Sequence, residues 1–170
     1  ALTTEQVQAI ATDDLQALSS TQLGGLTTRQ AAALTTAQVE ALTTEQAAGL
    51  RSSELNALTT AQVEAIGTDD IAALTTSQLA NLGSTQLAAL STAQVQALET
   101  SDLAAIKSSV ISALTTDQVA ALTTEQAAAL KMKLDVYDAR GDNAQQASQL
   151  DQAIASGVKG IVVRHGFPDT

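Results

Sequence analysis

The sequence predicts a mostly helical fold: a solenoid, or superhelix, of sixteen short-helix octapeptide repeats, followed by a partial α/β unit. The first observation is an octad with the consensus Leu-Thr-Thr-x-Gln-Val-x-Ala, which begins at Leu2 and repeats without a slip until Leu130. The second is the scarcity of aromatic residues, since the 170 residues include one Tyr, one Phe and no Trp. The third is a change of pattern after residue 130. We therefore expect two parts, an octapeptide-repeat helical solenoid over 1–130 and a βαβ fragment over 131–170.

The length of the octad excludes one continuous helix. Leu or Ile occupies position 1 of every copy. In a straight α-helix each copy would rotate this residue by about 80° around the axis, so the leucines would soon face every direction. Strands are disfavoured as well, because the apolar positions 1, 6 and 8 do not alternate. The pattern predicts one short helix per octad, with a turn between copies.

Position 3 is predicted to cap each helix. Every copy has Thr or Ser there, and a hydroxyl oxygen can accept a hydrogen bond from the free amides of the first helical turn. Acidic or amide residues follow at positions 4 and 5, where the helix dipole favours negative charge. The predicted caps are Thr4, Thr12, Ser20, Thr28, Thr36, Thr44, Ser52, Thr60, Thr68, Thr76, Ser84, Thr92, Thr100, Ser108, Thr116 and Thr124.

The octads must stabilise one another, because an isolated helix of five or six residues does not persist in water. We expect positions 1, 6 and 8 to form a shared apolar spine, with each copy burying its face against its neighbours. Position 5, which is Gln in eleven copies, has two interpretations. These glutamines form an amide hydrogen-bond ladder along the rod, or they are solvated residues at the helix starts.

The charge lies in the octads. The net charge of −10 comes from thirteen acidic and three basic residues through Leu130, whereas the remaining segment has five of each sign. Such a rod is repelled by phosphate, which argues against nucleic-acid binding. No apolar run is long enough to span a membrane. The absence of cysteine excludes disulfides and thiolate metal sites. The expected partner is another protein, or another copy of the chain through the repeat.

Few residues are candidates for chemistry. The pairs Asp13–Asp14 and Asp69–Asp70 lack the glycine-punctuated loop of a calcium site, so we interpret them as helix-start acids. His165 is the one histidine and has no partner ligands for a metal. No histidine lies among the octads to activate a Ser or Thr as a nucleophile. The sequence predicts no catalytic residue, no metal site, no cofactor and no enzyme activity.

The segment after residue 130 predicts one βαβ unit. Residues 133–137 and 160–163 are predicted strands, and residues 143–156 have an amphipathic helical pattern that ends before Gly157. The crossover between the two strands is expected to be right-handed.

Three stretches of this unit point to a known family. They are Asp-Val-Tyr-Asp-Ala-Arg-Gly-Asp-Asn at 135–143, Gln-Leu-Asp-Gln-Ala-Ile-Ala at 149–155 and Gly-Val-Lys-Gly-Ile-Val-Val at 157–163. Residues 131–166 thereby resemble a βαβ fragment of the N-terminal lobe of periplasmic sugar-binding proteins of ABC transporters, the ribose-binding type. The resemblance implies that Arg164 or His165, at the carboxyl end of a strand, approaches a sugar in a complete protein. Octads stand where that family has its first strand and helix, and the second lobe is missing.

The sequence favours a non-catalytic structural repeat protein that acts as a spacer, stalk or protein-interaction scaffold. We expect it to be part of a secreted, cell-surface or periplasmic protein, and to be a portion of a longer chain. One alternative is the N-terminal portion of a sugar-binding protein of an ABC uptake system. A second alternative is a self-assembling, fibre-forming repeat, because neither end of the predicted solenoid has a polar capping unit.

Overall fold

A computed structural model of the protein describes residues 2–130, which fold into sixteen short α-helices in tandem. Residues 2–130 contain no strand, and the predicted βαβ unit lies outside the described residues. The helices are α1 (Thr4–Gln8), α2 (Thr12–Gln16), α3 (Ser20–Leu23), α4 (Thr28–Ala33), α5 (Thr36–Glu40), α6 (Thr44–Gly49), α7 (Ser52–Leu55), α8 (Thr60–Glu64), α9 (Thr68–Ala73), α10 (Thr76–Ala80), α11 (Ser84–Ala89), α12 (Thr92–Ala97), α13 (Thr100–Ala105), α14 (Ser108–Ile111), α15 (Thr116–Ala121) and α16 (Thr124–Ala129). The prediction of one short helix per octad is confirmed.

Each helix is capped one residue earlier than the sequence suggested. The N-cap is position 2, and the position-3 hydroxyl residue is the first helical residue. In the first octad Thr3 has an extended backbone, its hydroxyl accepts from the Gln6 amide at 3.3 Å, and its carbonyl accepts from the Val7 amide at 3.0 Å. The prediction that Thr4, Thr12, Ser20 and their counterparts through Thr124 are caps is therefore wrong. Ten of the sixteen helices have a Thr or Ser hydroxyl at position 2 as their cap instead.

Seven of the helices end where position 1 of the next octad leaves the helical conformation, and most of the others end one or two residues earlier. Leu34 (φ −55°, ψ 141°) and Leu74 (φ −60°, ψ 140°) show the extended geometry that stops α4 and α9. The following N-cap is extended as well, as in Thr35 (φ −74°, ψ 158°). At these borders two extended residues separate successive helices, and the helices of the array have four to six residues.

The helices pack at a constant spacing along the chain. Each helix contacts the third helix after it, beginning with α1 on α4 and ending with α13 on α16. The core between them consists of the aliphatic residues at positions 1 and 6, such as Val39, Leu87 and Leu98. Every position 1 from Leu34 to Ile106 is buried, as the spine prediction requires.

The third predicted member of the spine, position 8, lies at the edge of the core, where Ala65, Ala89 and Ala97 pack against it without being buried. Its alanines are exposed or half-buried, for example Ala9 and Ala73. Position 5 takes that place, and the buried polar residues of the array all stand there. None of the helices over residues 2–130 is both long and apolar enough to cross a membrane.

Candidate functional site: the position-5 row

The position-5 glutamine holds two octads together from inside the core. Gln38 has only 2% of its side chain exposed. Its Oε1 accepts from the Thr35 amide at 2.8 Å, while the Gln38 amide donates to the Thr35 hydroxyl at 3.1 Å, which completes a capping box. Its Nε2 donates to the carbonyls of Val7 at 2.9 Å and Ile10 at 2.8 Å. One side chain therefore caps its own helix and bonds to the end of an earlier one.

The same geometry recurs along the chain with a fixed offset. Nine glutamines donate from Nε2 to main-chain carbonyls 28 residues earlier, and most also reach the carbonyl 31 residues earlier. We call these contacts the inter-octad bonds. The glutamines that make them are Gln30, Gln38, Gln46, Gln62, Gln78, Gln86, Gln94, Gln118 and Gln126.

Neither interpretation of the glutamine row from the sequence holds. From Gln30 onward these side chains are buried, so they are not solvated. Their amides bond to main-chain carbonyls and to N-cap amides and hydroxyls, not to one another, so they form no amide ladder. These glutamines are buried because of the main-chain carbonyls that accept their hydrogen bonds. The last carbonyls of each short helix have no partner within that helix, and a buried carbonyl without a donor is costly.

One octad makes the inter-octad bond with two residues instead of one. Position 5 is Glu54, whose side chain is 0% exposed, and its Oε2 accepts from the Arg51 amide at 2.7 Å. The Arg51 guanidinium donates to Glu54 Oε1 at 2.6 and 2.9 Å and to the Leu26 carbonyl at 2.6 Å. Leu26 lies 28 residues before Glu54, where a glutamine would have placed its amide. The acid supplies the acceptor and the arginine supplies the donor.

The comparisons agree with this repeat architecture. A family model described as the ALTTAQ repeat matches residues 7–44, 44–76, 63–100 and 95–132. The chain belongs to the ALTTAQ repeat family. The six letters appear at residues 33–38, from position 8 of one octad to the position-5 glutamine of the next. No curated protein and no solved structure matches the chain.

The family match ends at residue 132, and no comparison supports the likeness of the following segment to sugar-binding proteins. The predicted ligand residues Arg164 and His165 lie outside the described residues. The likeness to sugar-binding proteins and the ligand-binding role of these two residues stay predictions.

Besides Glu54, three position-5 residues between Gln30 and Gln126 are not glutamine and so lack its amide donor. Asp102 is buried and accepts from the Thr76 hydroxyl at 2.7 Å, so the donor here comes from the earlier octad. Val110 is half-buried and has no polar side-chain atom. Asp70 is 7% exposed, and burial raises the pKa of its carboxyl, partly offset by a hydrogen bond from the Gly67 backbone. Like-charge repulsion from Asp69 raises the same pKa further.

Position 7 adds a second, sparser set of bonds between octads of the ALTTAQ array. Gln16 and Gln96 each donate from Nε2 to the carbonyl 25 residues later, at 2.7 and 2.9 Å. Asn56 donates to the Asn81 carbonyl at 2.7 Å and accepts from the Gly83 amide at 2.6 Å. Gly83 is an N-cap without a hydroxyl, so Asn56 supplies the oxygen that a capping glutamine supplies elsewhere.

The sequence contained a signal for part of this site. Thr or Ser at position 2 followed by Gln at position 5 is a capping-box pattern, and it identifies the true caps. Arg51 with Glu54 three residues later is a visible departure from that pattern. The acceptors of the inter-octad bonds had no such signal, because they lie 28–31 residues away. Within residues 2–130, no group of three or more His, Cys, Asp or Glu residues could hold a metal ion.

Proposed function

We propose that the ALTTAQ array is a solenoid that serves as a spacer, stalk or protein-interaction scaffold. The observation that supports this proposal is the regularity of the inter-octad bonds. Of the thirteen octads from the one containing Gln30 to the one containing Gln126, ten donate a side-chain hydrogen bond to the position-1 carbonyl three octads earlier. When each repeat makes the same contact with earlier repeats, every added repeat lengthens the array by the same amount, as a spacer requires.

The composition of the core and that of the exposed surface both fit this role. Inside, the core is aliphatic and the polar groups bond to main-chain atoms. Outside, positions 3 and 4 are mostly exposed and hold mainly Thr, Ser and charged residues, which keep a long narrow particle in solution. Placement in a secreted or cell-surface protein stays a prediction.

Insertion of octads tests the spacer proposal. A second copy of residues 34–65 is inserted after Ala65 in the full chain, which adds four octads in register. Small-angle scattering is expected to show a longer particle with an unchanged cross-section. The matched control has the same insert with the inserted copies of Gln38, Gln46 and Gln62 changed to Glu, and it is expected to lose the fixed increment. A particle that grows equally in all directions would contradict the proposal.

A further inference from the structure

Octad 14, residues 106–113, is held less firmly than the octads around it. Its position-5 residue is Val110, so within the described chain no side-chain donor at this position reaches the Leu82 carbonyl, 28 residues earlier. Its N-cap is Lys107, which makes no side-chain cap bond. Helix α14 has only four residues and none of them is buried. Its main-chain hydrogen bonds are all local. The first joins the Val110 amide to the Lys107 carbonyl at 2.8 Å, and the last joins the Leu114 amide to the Ile111 carbonyl at 3.1 Å.

The position of octad 14 in the array does not explain this weakness. The next two octads lie nearer the end of the described residues, yet their position-5 residues Gln118 and Gln126 are buried, and each accepts a hydrogen bond from the N-cap amide of its own helix. Gln118 donates to the Leu90 carbonyl at 2.6 Å, and Gln126 donates to the Leu98 carbonyl at 2.8 Å. The two octads that follow α14 are therefore held by inter-octad bonds, and the identity of its own residues leaves α14 loose.

This looseness places one basic residue in a distinctive setting. Lys107 is exposed and is the N-cap of α14, the one helix over residues 2–130 that has no buried residue. The two other basic residues of the octads are held. Arg51 is bonded through its guanidinium and its amide to Glu54. Arg29 lies in α4, where Gln30 caps the helix and donates to the Leu2 carbonyl at 2.7 Å.

We propose that the peptide bond between Lys107 and Ser108 is a processing site for proteases that cleave after a basic residue. A protease needs several residues in an extended conformation, and octad 14 can supply them by local opening while the two octads after it stay bonded. Hydrolysis adds one water across the carbonyl carbon–nitrogen bond. It leaves a carboxylate on Lys107 and an amine on Ser108. This site does not depend on the scaffold role.

Limited digestion of the full chain with trypsin tests the site. Fragments are identified by mass, and each cleavage rate is divided by the rate in the urea-unfolded chain to remove the intrinsic preference of the protease. Cleavage after Lys107 is expected to exceed cleavage after Arg29 and Arg51 at least roughly tenfold. Equal or faster cleavage at either arginine would overturn the proposal.

A repair variant tests the cause. Val110→Gln restores the donor to the row and leaves Lys107 in place, so cleavage after Lys107 is expected to slow roughly tenfold. The matched control Val110→Ala changes the same position without adding a donor, and its cleavage is expected to be at least as fast as that of the parent chain. If Val110→Gln, with its helical spectrum retained, is cut as fast as the parent, the proposed opening of octad 14 is wrong.

Discussion

At the residue scale, glutamine at position 5 meets two needs with one side chain. Its oxygen accepts from an N-cap amide that lies outside the helix, and its nitrogen donates to carbonyls at the end of an earlier helix. Glutamate has the same length but no donor, and aspartate is also shorter. The Arg51–Glu54 pair follows from this logic, because the acid at position 5 is accompanied by a guanidinium that restores the donor.

Gln94→Glu is expected to lower the free energy of unfolding by about 1–3 kcal/mol, because two buried carbonyls lose their donor. Gln94 Nε2 donates to Val63 at 2.8 Å and Ile66 at 2.7 Å, and the carboxylate cannot. Urea denaturation followed by far-UV circular dichroism at pH 7 measures the change. Gln8→Glu is the matched control, since it makes the same exchange on an exposed side chain. Equal losses in both variants would show that the inter-octad bond adds no stability.

Asp70 makes stability depend on pH. Burial raises the pKa of its carboxyl above the unfolded value. The stability associated with the protonated form is therefore complete below the unfolded pKa and is lost as pH rises through the folded pKa. Asp70→Asn is expected to raise the free energy of unfolding at pH 7 and to change it little at about pH 3. Urea titrations at both values measure this, and Asp117→Asn, an exposed acid, is expected to show no such difference.

At the element scale, the caps can be tested one residue apart. Thr59 is the N-cap of α8 and accepts from the Gln62 amide at 3.3 Å, whereas Thr60 is the first helical residue. Thr59→Ala is expected to lower the free energy of unfolding by about 1 kcal/mol. Thr60→Ala is expected to change it by less than about 0.5 kcal/mol, as for other surface substitutions. If thermal or urea denaturation showed a larger loss for Thr60→Ala than for Thr59→Ala, position 3 and not position 2 would be the cap.

The contact between α3 and α6 depends on glycine. A Cβ added at Gly49 would lie 2.5 Å from Ser20 Cβ, which is too close for two carbon atoms. Gly49→Ala is therefore expected to lower the free energy of unfolding by about 1–3 kcal/mol through overpacking. Gly25→Ala is the control, because a Cβ there meets its nearest atom, the Gln22 oxygen, at 3.2 Å. A thermal melt in which both variants match the parent would contradict the close packing of these helices.

The number, size and order of the helices could be predicted because the octad contains that information locally. Position 1 of each copy interrupts the helix, and the interval fixes its length. The cap was misplaced because positions 2 and 3 both hold cap-forming hydroxyls in most copies. Only the Gln three residues after position 2 distinguishes them, as in Thr3 and Gln6. The burial of Gln38 could not be predicted, because its acceptors belong to residues 28–31 positions away.

At the scale of the whole molecule, the array is defined by a mismatch between two spacings. The sequence repeats every eight residues, but the inter-octad bonds connect residues 28 and 31 apart. Helices pack on their third neighbour, while each glutamine reaches back to the border between the third and fourth earlier octads. That return distance depends on small rotations summed over several turns, so the octad pattern alone does not determine it.

Register therefore decides which deletions the array tolerates. Removing residues 90–97 deletes one octad, and Gln118 then faces Leu82, again a position-1 carbonyl, in place of Leu90. Each later glutamine likewise finds a position-1 acceptor, and every position-1 leucine still meets the core. We expect a folded helical protein whose midpoint of thermal unfolding falls by a few degrees, about as much as one repeat contributes.

Removing residues 90–93 is the matched control, because it deletes fewer residues but shifts the register by half an octad. Gln118 would then face residue 86, a position-5 site whose carbonyl lies inside α11, and the later leucines would leave the core. We expect the four-residue deletion to destabilise the array more than the eight-residue deletion, as measured by far-UV circular dichroism and thermal melting. If the smaller deletion were the milder one, the inter-octad bonds would not set the register, and aliphatic packing alone would hold the octads together.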